Sequence, residues 1–331
     1  MLMEAVSAPH ARMGRNNSSS SSRSIDRRRP DFFIVGAPRS GTTAMFHYLS
    51  CHPDVYMSDR KEMHFFGKDL NFGPQIYRRT LDAYLAEYEG RNGERRAGEA
   101  SVWYLLSKTA ASEIKAFNPD ANIIIMLRDP SELLHSMYYM FLYDGNEHLP
   151  SFEEALGAEN LRRTGQLTTR QTYFAQGLVY REIVRFTEQV QRYFDEFGRE
   201  RVHIIIYDDF AADTAGTYGK ALDFLDVDST QASTDFKVIN GNRTVKSSAL
   251  QFVLNDGLVR RAAVALQPML PRRFFVALRT MREKWMRSNL HFEKRPKLSP
   301  ELKAQLKREF APEILRLSQL VRRDLTHWSK G

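Results

Sequence analysis

Residues 32–43, Phe-Phe-Ile-Val-Gly-Ala-Pro-Arg-Ser-Gly-Thr-Thr, constrain this chain more than any other stretch. Four apolar residues in a row predict a buried parallel strand, and after Gly41 the positions Ala44, Met45, Tyr48 and Leu49 share one helical face. Between them, Gly36 and Gly41 have the G-x-x-x-x-G spacing of a loop that offers backbone N–H groups and a helix N-terminus to an anion. A nucleotide triphosphatase would follow Gly41 with a lysine that reaches the β- and γ-phosphates and a hydroxyl that reaches Mg²⁺. Thr42 and Thr43 stand there instead, and the loop's one cation is Arg39, three residues before the lysine's place. The positive charge therefore lies on the loop itself, beside the first phosphate.

Two more apolar runs predict strands, Asn122–Leu127 and Val202–Tyr207. The first leads into Arg128-Asp129-Pro130-Ser131-Glu132, in which Asp129 is a good N-cap, Pro130 a good first helical residue and Glu132 completes a capping-box pattern. Arg128 is thus expected at the carboxyl end of a strand and Ser136 two turns into the following helix. Ligands of open parallel sheets bind at that edge. The Asp208-Asp209 pair after the third run is read as a loop cap and not as a metal site. Gly177–Tyr180 is expected to open a helix that ends near Gly198. Ser299-Pro300 and Pro312 each predict a helix start near the C-terminus.

Composition narrows the class. The 331 residues are 42% apolar, enough for a sizeable core. One cysteine, Cys51, rules out an internal disulfide framework and a multi-cysteine metal site. No run approaches the ~18 apolar residues of a membrane span, and no signal-like stretch opens the chain, so a cytoplasmic protein is expected. The formal net charge of +8 comes from two segments. Residues 1–30 hold six arginines against Glu4 and Asp26, within a Ser/Asn/Arg tail too polar to order itself. Residues 256–297 hold eleven Lys or Arg against three acids, interleaved with Leu266, Leu270, Phe274, Phe275 and Trp285. That pattern fits a packed helix with snorkelling arginines, a flap over an anionic acceptor, or peripheral contact with a membrane surface. A basic excess confined to two segments argues against specific nucleic-acid binding.

Pro38-Arg39-Ser40-Gly41-Thr42-Thr43 resembles, without a gap, the 5′-phosphosulfate loop P-[KR]-x-G-T-[TS] of sulfotransferases that take 3′-phosphoadenosine-5′-phosphosulfate (PAPS) as donor. His52-Pro53-Asp54-Val55, followed by Lys61-Glu62-Met63-His64-Phe65-Phe66, is similar to the carbohydrate and heparan-sulfate-type members. The resemblance implies a three-layer α/β fold of the P-loop nucleoside triphosphate hydrolase type, formed by residues 31–331 as one domain behind a disordered 1–30 tail. It implies PAPS as co-substrate, no metal, and sulfuryl transfer to a hydroxyl or amine, with a carbohydrate or glycolipid among the candidate acceptors. The six loop residues would hold the 5′-phosphosulfate, and Arg128 with Ser136 the 3′-phosphate. Glu62 would be the general base, with Phe65 and Phe66 raising its pKa by partial burial, and His64 an acid/base or positioning neighbour. Tyr180 would lie near the donor end of the sheet, while Arg243 and Lys246 belong to a late basic loop over the adenosine. Against the family block E-K-[TS]-P-x-Y this chain has Glu99-Ala100-Ser101-Val102-Trp103-Tyr104, so the block's lysine is absent. Golgi members carry a membrane anchor, and this chain is more similar to the soluble bacterial ones. A kinase-like phosphotransferase using ATP and Mg²⁺, and a non-enzymatic protein associated with membrane or nucleic acid, stay open at this point, as do the acceptor and the oligomeric state.

Overall fold

A computed structural model describes residues 29–58, 60–73, 80–231, 236, 244–245, 290–291 and 296–330. Arg243, Lys246, the tail through residue 28 and nearly all of 256–297 lie outside the described residues. Five parallel strands form the central sheet: β1 (Phe32–Gly36), β2 (Val55–Met57), β3 (Arg96–Ala100), β4 (Asn122–Leu127) and β5 (Val202–Ile206). Their order is β2-β3-β1-β4-β5, which puts the phosphate-type loop strand in the middle.

Period-two alternation along the strands builds two cores. Phe33, Val35, Ile123, Ile125 and Leu127 face one side, and Phe32, Ile34, Ile124 and Met126 the other. Six described helices of eight or more residues cover them: α1 (Thr42–Ser50), α2 (Ala110–Phe117), α3 (Pro130–Asp144), α4 (Phe186–Phe197), α5 (Thr214–Phe224) and α6 (Pro300–Val321). Met45 and Leu49 of α1 and Tyr218 and Leu222 of α5 pack on the second face. The first face takes Ile114 of α2, Leu134 and Phe141 of α3, Tyr193 of α4 and Leu306 of α6. Each such side chain contributes about 1.5–3 kcal/mol of burial. The helices thus cover both faces of the parallel sheet, as the sequence predicts.

Three expectations are corrected. The helix expected from Gly177–Tyr180 to Gly198 is interrupted at Val184 and Arg185, so a short turn of helix, Tyr180–Ile183, precedes α4, which begins at Phe186. Pro312 does not start a new helix, because α6 runs through it. Leu306, Phe310, Ile314 and Leu317 continue one buried face across the proline, and that packing offsets the backbone hydrogen bond the proline removes. Asp208 and Asp209 do not cap a loop but tether the C-terminus. Trp328 Nε1 donates to Asp208 at 2.6 Å, and Arg323 donates to Asp209 at 2.7 Å. A short antiparallel pair, β6 (Thr244–Val245) with β7 (Leu290–His291), lies beside α3. Among the described residues no helix is long and apolar enough to cross a membrane.

Candidate functional site

Gly41 is the N-cap of α1 at φ 88°, a left-handed conformation that favours glycine, and no side chain caps the helix. A Cβ there would stand 3.0 Å from the Phe210 ring. The first-turn amides of α1 consequently form an open cradle for an anion. Arg39 sits on the loop at φ 60°. Its Nε donates to Ser136 Oγ at 2.9 Å, and its carbonyl accepts from Arg128 Nη1 at 3.1 Å. The Arg128 guanidinium lies 4.6 Å from the centre of the Tyr207 ring and 3.6 Å from Glu132. Asp129 caps α3 as expected, accepting from Ser131 N–H at 2.8 Å. Because β1 and β4 are parallel neighbours, their carboxyl ends meet, and residues 97 positions apart become one cationic cluster.

Residues 62–66 hang on the end of β3 and on the turn that follows it. Glu62 N–H donates to Ala100 O at 2.8 Å, and Val102 N–H donates to Glu62 Oε2 at 2.9 Å. Lys61 forms an ion pair with the same carboxylate. The amides of Phe65 and Phe66 donate to the Tyr104 hydroxyl at 2.9 and 3.2 Å, and that of His64 to Ser101 Oγ at 3.4 Å. Both anchoring hydroxyls are held in turn by Glu99, which is fully buried and accepts from Tyr104 and Ser101 at 2.7 Å each and from Tyr84 at 2.5 Å.

Burial pushes the Glu99 carboxyl up to about 6 from 4.5, with the three hydroxyls opposing the rise. Between those two values the folded chain holds the proton more tightly than the unfolded one. The group's contribution to stability is therefore complete below 4.5 and is lost as the pH rises through about 6, on the order of 1–2 kcal/mol in all. Urea titrations of Glu99→Gln at pH 5 and pH 7 should show a difference smaller than wild type by about that amount. An unchanged difference would assign the pH dependence elsewhere.

A cavity of about 350 Å³ opens where these two segments face each other. Pro38, Arg39, Thr42 and Thr43 line one side, and Lys61, Glu62 and His64 the other. Val102, Trp103, Met140, Asp144 and Tyr173 complete the wall. Three of the six described non-glycine residues with positive φ are Arg39, Glu62 and His64, at 60°, 64° and 51°. Backbone strain of this kind clusters at functional sites.

The sequence expectations divide accordingly. Pro38, Arg39, Thr42, Thr43, Glu62 and His64 share the cavity, while Arg128 and Ser136 join it through Arg39. Ser40 and Gly41 do not line it: Ser40 is buried and donates its hydroxyl to Pro38 O at 3.3 Å, and Gly41 caps α1. Tyr180 is not brought to the cavity: it is fully buried, and its hydroxyl donates to Glu147 at 2.9 Å. Phe65 and Phe66 do not wrap Glu62 either. Phe65 stacks on Tyr84 and Phe66 packs against Tyr104, so the apolar wall beside Glu62 is Val102 and Trp103. Lys61, Asp144 and Tyr173 are cavity residues that the sequence did not nominate. The one available signal for the last two was Asp144-Gly145-Asn146, where the helix ends at Gly145 and the buried Asn146 accepts from the amides of Tyr173 and Phe174 at 2.9 and 2.8 Å.

A family profile described as a sulfotransferase domain matches residues 29–317. The crystal structure of a sulfotransferase from Alicyclobacillus acidocaldarius is similar over 91% of this chain and 99% of that one, at 31% identity and a TM-score of 0.66. Human heparan sulfate glucosamine 3-O-sulfotransferase 3B1 is 26% identical over 200 residues, 59% of this chain and 46% of that protein. Membrane-associated sulfotransferase kil1 of Dictyostelium discoideum is 28% identical over 110 residues, 33% of this chain and 22% of that protein. The chain thus spans less than half the length of these two curated relatives.

Proposed function

The chain belongs to the sulfotransferase domain family, and from that membership we propose that it moves a sulfuryl group from PAPS to a hydroxyl or amine of an acceptor. The observation that carries the reading is the Arg39–Ser136–Arg128 cluster at the mouth of an uncapped helix N-terminus, which suits two separate anionic groups of one nucleotide. PAPS supplies the sulfuryl group and departs as adenosine 3′,5′-bisphosphate. The loop amides and Arg39 neutralise charge gathering on the leaving 5′-phosphate. Arg128 and Ser136 hold the 3′-phosphate, the group that separates this donor from ATP. Glu62 takes the acceptor proton, with His64 beside it in the same cavity wall. Lys61, paired with Glu62, brings a lysine ammonium into a site whose strand-end position is occupied by Ala100.

Calorimetry should detect binding of adenosine 3′,5′-bisphosphate and much weaker binding of ATP with Mg²⁺, and labelled sulfate should pass from PAPS into an acceptor. Preference for ATP would favour a kinase-like phosphotransferase instead. Glu62→Gln should lower turnover about a hundredfold while nucleotide affinity is kept. Full activity of that variant across pH would move the base to another group, His64 first.

A further inference from the structure

Resting on that reading, we propose that Asp144 selects the acceptor, pairing with a cationic amine on an otherwise apolar or aromatic hydroxyl compound, and that polyanionic glycans are disfavoured. Asp144 ends α3 eight residues after Ser136, about 12 Å along the helix axis, so it stands well beyond the cluster assigned to the 3′-phosphate. It lines the cavity, and its side chain is open to the solvent there. Among the described residues its one hydrogen bond comes from the Tyr173 hydroxyl, at 3.3 Å. Tyr173 is fixed in turn by the Asn146 clamp and lines the same cavity.

Of the described cations lining the cavity, Lys61 is already paired with Glu62, and Arg39 is the one whose charge acts on Asp144. A bound phosphosulfate engages Arg39, which leaves Asp144 without a paired cation among the described residues lining the acceptor side. The remaining walls there are Trp103, Tyr173, Met140 and Val102, surfaces that suit an aromatic or aliphatic body and, through the rings, a cation. A cationic partner is attracted to the Asp144 carboxylate, and an anionic one is repelled by it.

The test uses the full chain saturated with adenosine 3′,5′-bisphosphate and three indoles with two-carbon tails: tryptamine, tryptophol and indole-3-acetate. Calorimetry should rank tryptamine tightest, at least about tenfold over tryptophol, with indole-3-acetate weakest. In Asp144→Asn the tryptamine-to-tryptophol ratio should fall to about one in protein that still binds the nucleotide. Equal affinities, a preference for the acid, no indole binding at all, or a ratio unmoved by Asp144→Asn would overturn the assignment. The wild-type ranking decides even if the variant does not fold. Failure of wild type to bind the nucleotide takes down the sulfotransferase reading and this inference together, whereas nucleotide binding without charge ranking removes only the inference.

Discussion

Replacing Arg39 with alanine should slow the proposed sulfuryl transfer by about 10²–10³-fold, the size of effect that follows loss of one preorganised donor to a developing charge. The side chain has two attachments that make it preorganised. Its Nε is held by Ser136 Oγ, and the peptide carbonyl of the same residue receives Arg128. On the proposed reading Arg39 thus couples the two anion-holding halves of the site, and its loss should also free Ser136 of its hydrogen bond. The backbone at φ 60° stays strained with alanine, so the variant gains no compensating relaxation. Arg39→Lys restores charge without the planar fork and should recover only part of the rate. Single-turnover transfer from labelled PAPS measures the chemical step directly. An alanine variant within threefold of wild type would place the leaving-group charge on other cations.

The parts of this site written in short-range spacing were legible in the sequence. The loop, its displaced arginine and the Arg128–Ser136 pair each depend on one strand end and one helix start, and β1 and β4 announce themselves by unbroken apolar runs. β3 reads Arg-Ala-Gly-Glu-Ala and looks like no strand. It is one because Gly98 leaves room for the Phe32 ring, where a Cβ would stand 2.1 Å away, and because Glu99 finds three hydroxyls inside the core. Neither condition is visible without the partners, which come from β1, from residue 84 and from the turn after β3. Asp144 and Tyr173 were hidden for the same reason, since a buried asparagine clamp brings them together over 29 positions. Tyr180 was nominated by motif position, but a buried carboxylate 33 positions earlier takes its hydroxyl.

That carboxylate, Glu147, gives the largest expected loss of stability. Its side chain and that of Arg162 are both fully buried, with Arg162 Nη2 2.6 Å from Glu147 Oε1. Burial alone would raise the Glu147 pKa, yet Arg162 and the amides of Leu149 and His148 hold it below the ordinary carboxylate value. Arg162 also donates to the carbonyls of Ala155 and Leu178, so one guanidinium ties the end of α3 to the short helix before residue 158 and to the turn before Tyr180. Arg162→Met leaves a buried carboxylate without its cation and should cost about 3–5 kcal/mol, read as a lowered urea midpoint. Glu147→Gln should cost a similar amount by stranding the guanidinium. The double variant should lose clearly less than the sum, because each single change removes a partner while the double removes the stranded charge as well. Strict additivity would mean the two side chains stabilise the fold independently, and their 2.6 Å contact would then carry no coupling. Since Asn146 adjoins Glu147 and clamps Tyr173, the weakened variants should also bind tryptamine less tightly than wild type, at denaturant-free conditions where the sheet is still folded.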